Sequence, residues 1–359
     1  FEEHRKEIEA ELNSRNEILN ATCVGGKISI MFDYEYLSAK DSQPHIEDSV
    51  VKDTYGENTD LNSIGFDQSE LGGAKARFKG NLEAIRLLNG LYDEDRLANG
   101  AERKILAKYV GWGGIPQAFD ERDESWRKEY AELKMALSTE DYERAKGSVL
   151  NAHYTSKEVI DGMYAALVRF GVKGNNRILE PAMGTGNFFG YMPEKIRNGA
   201  GLYGVEIDNI TGKIAAKLYP EANVQIKGFE QTTFPNNYFD VVVGNVPFGN
   251  YGVYDSEYAK QNFYIHDYFL AKSIDKLRQN GVMAVITSKG TMDKLNPSVR
   301  KYLADRAELL GAIRLPDTAF KQTANTRVVA DILFFRKREE KIYADAENTE
   351  WLSTGKTEQ

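Results

Sequence analysis

From about residue 151 onward the chain alternates short apolar runs with amphipathic stretches, and this alternation limits its folding choices more than anything else in the sequence. The runs at 177–180, 202–206, 223–227, 239–243, 281–287, 309–314 and 330–336 have the length of strands. Segments 157–170, 187–198, 209–219, 263–279 and 297–306 carry helical spacing between most of them. Strands alternating with helices predict a parallel, doubly wound sheet. The last two runs are joined by 315–329, which holds no full helix. Their pairing is expected to be antiparallel, because a parallel return needs a crossover of about a dozen residues or more.

Two strand ends carry the chemistry. The first is Ile178-Leu-Glu-Pro-Ala-Met-Gly-Thr-Gly-Asn-Phe-Phe189, a buried strand running into a glycine turn and then a helix. Gly184 and Gly186 allow the sharp turn and the close approach of backbone to a ligand. The second is Phe239-Asp-Val-Val-Val-Gly-Asn-Val-Pro-Phe-Gly249, a strand that stops at Gly244 and presents Asn245, Val246, Pro247 and Phe248 on a loop. Ligands of open parallel sheets sit outside the carboxyl ends of the strands, so both loops are expected to face one crevice.

The turn is Glu-Pro-x-x-Gly-x-Gly. It is neither the Gly-x-Gly-x-x-Gly of a dinucleotide site nor a Gly-Lys-Ser/Thr phosphate loop. Glu180 would repel a pyrophosphate and suits a ligand with an ammonium group. Glu206, which ends the second strand, is placed to accept hydrogen bonds from both hydroxyls of a ribose. An amino group at one end and an unphosphorylated ribose at the other describe S-adenosylmethionine. Asn245 and a neighbouring backbone carbonyl can accept both hydrogens of an exocyclic amine, which leaves the nitrogen lone pair directed at a methyl sulfonium. Pro247 stiffens the loop, and Phe248 offers a flat face to a planar substrate such as adenine flipped out of DNA. No general base is required, and no metal site is expected.

These residues resemble the N6-adenine DNA methyltransferases, whose motifs have the forms Asp/Glu-Pro-x-x-Gly-x-Gly and Asn-Pro-Pro-aromatic. Here they are Glu180-Pro-Ala-Met-Gly-Thr-Gly186 and Asn245-Val-Pro-Phe248. The resemblance implies a Rossmann-like class I S-adenosylmethionine-dependent methyltransferase, with a mostly parallel seven-stranded sheet and an antiparallel last strand, plus an N-terminal helical subdomain. It makes Asn245, Val246, Pro247 and Phe248 catalytic. Glu180, Pro181, Gly184, Gly186, Asn187 and Glu206 become cofactor residues, with Tyr154 and Thr155 closing the methionine end. Val246 stands where the family usually has Pro, so the loop is expected to lose some rigidity. After the third strand the usual order of acidic and apolar residues is exchanged in Gly228-Phe229-Glu230; Phe229 is expected to stack on the cofactor adenine and Glu230 to accept from its amino group. Phrases such as Tyr109-Val-Gly-Trp-Gly-Gly, Leu150-Asn-Ala-His-Tyr-Thr, Ser288-Lys-Gly-Thr-Met-Asp-Lys and Ala312-Ile-Arg-Leu-Pro resemble the methylase portion of large methylase–helicase fusions of phages and mobile elements, some of them anti-restriction proteins. That implies DNA as partner and a helicase beyond residue 359. Two further readings stand beside it: a non-catalytic cofactor- and DNA-binding module of such a fusion, and a protein glutamine N-methyltransferase.

The rest of the chain divides, on this reading, into 1–69, a helical and linker segment of unknown role; 70–150, a helical subdomain; 151–338, the catalytic domain; and 339–359, a polar tail. Ile8, Leu12 and Leu19 have helical spacing, and 38–69 reads as a linker or poorly ordered segment. Phe78, Leu82, Ile85, Leu88 and Tyr92 share one helix face. Trp112 is expected as a buried anchor at a helix end rather than a base-stacking residue. The chain opens on Phe1 and its tail stops without a natural end, so it reads as a piece of something longer. The net charge of −8 argues against a general nucleic-acid coat. It leaves open a local groove built from Lys289, Lys294, Arg300, Lys301, Arg306, Arg314, Lys321 and Arg327, or equally a set of solvated helix faces. A single cysteine, Cys23, and the lack of any apolar run near ~20 residues predict a reduced, cytoplasmic protein with no membrane span.

Overall fold

A computed structural model describes residues 18–24, 27–32, 56–149, 155–317, 319 and 328–354. The chain falls into two compact units, Phe1–Asp53 and Thr54–Gln359. In the first, β1 (Ile18–Val24) and β2 (Lys27–Phe32) pair as an antiparallel hairpin. Leu19 therefore lies in a strand, not in the helix its spacing with Ile8 and Leu12 predicted; the other two positions lie outside the described residues.

The second unit is built on a seven-stranded sheet. Its strands are β3 (Arg177–Glu180), β4 (Gly201–Glu206), β5 (Asn223–Ile226), β6 (Phe239–Asn245), β7 (Leu277–Ser288), β8 (Ala307–Arg314) and β9 (Ala330–Lys337). They lie in the order β5-β4-β3-β6-β7-β9-β8. All neighbours from β5 to β7 are parallel, and β9 runs antiparallel to both β7 and β8. The chain winds outward from β3 to β5 and then returns to add β6 on the other side. The order reverses between β3 and β6, which opens the ligand crevice there.

Alternate side chains of the inner strands feed two cores. Ile178, Val241, Ile286 and Phe334 enter one, and Leu179, Val242, Val285 and Phe335 the other. A sheet covered on both faces explains why these strands are apolar at nearly every position rather than at every second one. The second face is covered by α9 (Ile265–Lys276) and α11 (Ser298–Arg306). The first is covered by α5 (Lys157–Arg169) and by the helices ahead of it: α1 (Ala74–Asp93), α2 (Gly100–Ala107), α3 (Arg127–Ala136) and α4 (Thr139–Ser148). Phe78, Leu82, Leu88 and Leu133 belong to the same core as Ile178 and Val241. The helices of 70–149 thus share a core with the sheet, and no core boundary separates them from the expected catalytic domain.

Trp112 is 1% exposed and meets Phe78, Tyr109 and Phe119 edge-on, with ring centres 5.4–6.3 Å apart. It is an anchor, as its place at a helix break predicts. Asn81, wholly buried on α1, holds the turn before it: its amide donates to Gly111 O at 2.6 Å, and its carbonyl accepts Val110 N at 2.9 Å.

Part of the expected linker is packed structure. Thr59 donates both its amide and its hydroxyl to Leu218 O, at 2.9 and 2.6 Å. Leu61 is 1% exposed and its amide donates to Gly190 O. Asp60 pairs with Arg197 at 2.5 Å. Polar residues dominate 56–69, and they conceal one buried leucine and one buried threonine that dock it. The expected helix 187–198 is two single turns, α6 (Asn187–Gly190) and α7 (Glu194–Arg197), because Pro193 cannot donate the hydrogen bond a continuous helix needs. The remaining helices are α8 (Asn209–Leu218) and the single turn α10 (Gly290–Asp293).

Candidate active site

Glu180 ends β3, and the chain turns through Gly184 (φ +56°) and Gly186 (φ +81°) into α6. Met183 N donates to Val205 O at 2.9 Å, which ties the turn to β4. Glu206 ends β4 and braces the same turn: Oε2 accepts Gly184 N at 2.9 Å, and Oε1 accepts Asp208 N at 2.7 Å. Asn245 ends β6, which pairs directly with β3. A Cβ on Gly244 would lie 3.3 Å from Cγ of Glu180. The two strand-end loops therefore share a wall, with Glu180 and Asn245 on either side of it.

Within the second loop, Val246 is 2% exposed and Phe248 rests against both cores. Val246 N donates to Ile286 O at 3.0 Å, which carries the β6–β7 ladder one residue past Asn245. A proline there has no N–H to give. The departure from the usual motif thus replaces ring stiffness with a hydrogen bond. Val246→Pro is expected to leave the Ile286 carbonyl unpaired at a cost of about 1–3 kcal/mol. Thermal melting and kcat, measured together, check this; a variant as stable and active as its parent would show that the bond contributes nothing.

Thr155 is buried, and its carbonyl accepts Nε2 of Gln68 at 3.3 Å while Oε1 of Gln68 accepts Lys157 N at 3.2 Å. Tyr154 lies outside the described residues. Pro181 is buried and Asn187 half-buried beside the turn. The Phe229 ring is 2% exposed and packs on Phe269, centre to centre 5.1 Å, while Glu230 is half-buried at the rim.

The two crevice carboxyls are unusual in their protonation. Burial raises Glu180 well above its ordinary 4.5, and repulsion from Glu206 adds to this. Glu206 is pushed up to about 7, by burial first and also by the Asp208 charge, against the pull of its amide donors. The folded protein therefore keeps protons that the unfolded chain has lost. Glu206's contribution to stability is full below 4.5 and is lost as the pH rises through about 7.

Residues that the sequence did not single out gather nearby. His266, 3% exposed at the start of α9, lies beside the Gly249 backbone, with Nε2 3.8 Å from where a Cβ on Gly290 would stand. Burial lowers its pKa. Asp267 next to it is also buried; it accepts from Thr291 Oγ1 at 3.1 Å and pairs with Lys294. Most of the described residues that could have lined a basic groove are committed elsewhere. Arg300 is wholly buried on the carbonyls of Thr291, Met292, Lys294 and Leu352. Arg306 pairs with Asp275, Arg314 with Asp293 and Asp331, and Lys301 with Asp305. Lys289 remains exposed, and Lys321 and Arg327 lie outside the described residues.

Residues 138–356, more than half of the chain, match the family described as N-6 DNA Methylase. The chain belongs to that family. Over 269 residues it is 33% identical to "Defense against restriction protein B" of Escherichia phage P1, covering 73% of this chain and 10% of the phage protein. It is 31% identical over 161 residues to "Modification methylase CviBIII" of Paramecium bursaria Chlorella virus NC1A, covering 41% of each. The chain thus spans well under half the length of either relative. The type I restriction-modification methyltransferase subunit of Streptococcus thermophilus is similar in fold, at 18% identity and a TM-score of 0.46, covering 72% of this chain and 66% of that one.

The N-6 methylase family and the sheet order make this a class I methyltransferase whose cofactor is S-adenosylmethionine. The crevice fits that molecule. Oε2 of Glu180 is fully buried with no hydrogen-bond partner among the described residues, a costly state that a ligand ammonium relieves. Glu206 borders the same crevice, braced on the glycine turn through its bond from Gly184 N. An ammonium selects an ionised carboxylate, and burial holds the Glu180 carboxyl protonated well above its ordinary range, so cofactor affinity is expected to rise with pH across the neutral range, by up to about tenfold per unit for each proton released. Calorimetric titration across that range checks the sign; a flat profile would exclude proton release from that carboxyl. Among the described residues no helix is long and apolar enough to cross a membrane.

Proposed function

We propose that this chain transfers a methyl group from S-adenosylmethionine to the N6 amino group of adenine in DNA, with the target base rotated out of the stack into the crevice. The observation that carries this reading is the shared wall of the two loops, Gly244 of the catalytic strand against Glu180 of the cofactor strand. When bound, the cofactor supplies an electrophilic methyl group. The Asn245 side-chain oxygen and the Val246 carbonyl accept the two amine hydrogens and aim the nitrogen lone pair at the methyl carbon. The new N–C bond forms as the C–S bond breaks, and the surplus proton leaves the amine for water. Phe248 supports the base face. Proximity and alignment, rather than proton abstraction, supply the rate in such a site.

The test is incubation with methyl-labelled S-adenosylmethionine and mixed-sequence DNA, single- and double-stranded. Label recovered as N6-methyladenine supports the reading. Label on protein glutamine would move the activity to a protein substrate. Cofactor binding with no label on any DNA would make the chain a docking module.

A further inference from the structure

One buried cation joins the loop after β5 to the segment that follows the catalytic loop. Lys272, on α9, is 2% exposed. Its ammonium donates to the Phe229 carbonyl at 2.8 Å and to Oδ2 of Asp255 at 2.9 Å, and it stands 5.0 Å from the centre of the Phe229 ring. Asp255 is held in turn by the Tyr268 hydroxyl at 2.7 Å and the Glu257 amide at 3.0 Å. Beside this joint lies a shallow, open pocket of about 540 Å³ lined by Glu230, Gln231, Val253, Tyr254, Asp255 and Ser256. Its walls therefore come from both segments, and Lys272 sets the distance between them. A buried ammonium is costly to desolvate, and a well-packed apolar side chain is often at least as stabilising. What the charge provides is direction, since it fixes one carbonyl and one carboxylate at hydrogen-bonding distance from a single atom.

We propose that Lys272 is a positioning residue, one that holds the adenine side of the cofactor site by clamping the Phe229–Glu230 loop to the Asp255 segment. This rests on the reading that the loop after β5 receives the cofactor adenine. Lys272 touches neither reacting group, so its removal acts on cofactor affinity and leaves the methyl-transfer step nearly intact.

Lys272→Met alone strands the buried Asp255 carboxylate and weakens the fold, so the decisive protein is the double variant D255N/K272M, which removes both charges and keeps the volume. Its melting temperature is expected near that of the parent, while its Kd and KM for S-adenosylmethionine rise roughly tenfold and kcat changes by less than about twofold. Lys272→Arg is expected to recover part of the affinity. A double variant that binds the cofactor like the parent would overturn the proposal. Glu230→Ala separates the two ideas: weakened binding there with a normal double variant removes the role of Lys272 and keeps the adenine reading. Normal binding in both removes both.

Discussion

Asn245→Ala is expected to lower kcat for methyl transfer roughly 10²- to 10³-fold, the effect of deleting one preorganised polar group from an active site, while cofactor affinity and melting temperature stay close to those of the parent. The reason is where Asn245 sits. Its backbone is locked by the pairing of β6 with β7, opposite Ile286, and by the Val246–Ile286 hydrogen bond that follows, so truncating the side chain moves no backbone. Glu180 and Glu206 belong to other strands. Single-turnover kinetics with saturating S-adenosylmethionine measure the step directly. A comparable loss in cofactor Kd would place Asn245 on the cofactor side of the wall instead. Undiminished turnover would remove it from the catalytic loop altogether.

Gly186→Ala is expected to be the most damaging single change to the cofactor turn. At φ +81° an added Cβ is strained by about 1–2 kcal/mol. It would also lie 2.4 Å from Cε2 of Tyr219. That ring cannot swing away, being 1% exposed and packed edge-on against Phe189 at 5.7 Å. Overpacking of a filled core adds roughly 1–3 kcal/mol. The turn, not the distant sheet, absorbs the displacement, so loss of cofactor binding is expected to exceed what the melting shift alone implies. Melting with and without S-adenosylmethionine separates the two contributions; a variant that the cofactor stabilises as much as the parent would show that the turn tolerates the methyl group.

The signals that set strand and helix positions are local. The seven strands stand close to their expected positions because period-2 and period-3.6 patterns, and runs buried on both faces, are written within each segment. The antiparallel β9 followed from the lack of a full helical pattern in the sequence of 315–329. The glycine turn and the Asn-Val-Pro-Phe loop were legible because each needs particular residue types at neighbouring positions. The basic stretch stayed ambiguous for the opposite reason. Lysine and arginine in sequence look like a surface, but Arg300 is spent on buried carbonyls and Arg306 and Arg314 on carboxylates that composition does not reveal. Hydrophobic patterning likewise missed the docked segment 56–66, since one leucine and one threonine carry no periodicity. Helical patterning found the segments of 70–150 and could not say that they share a core with the sheet.

The sequence by itself determined the class of fold, the two loops at its switch point, and, through the family motifs, the cofactor. Tertiary structure decided the rest. It showed that Val246 donates to Ile286 on the neighbouring strand, that Thr59 fastens onto Leu218 from 159 residues away, and that Lys272 bonds to Phe229 and Asp255 from two separate segments. The division has a single physical cause. Backbone conformation and burial periodicity are properties of neighbours in the chain, whereas hydrogen-bond partners and the protonation of buried groups are properties of neighbours in space.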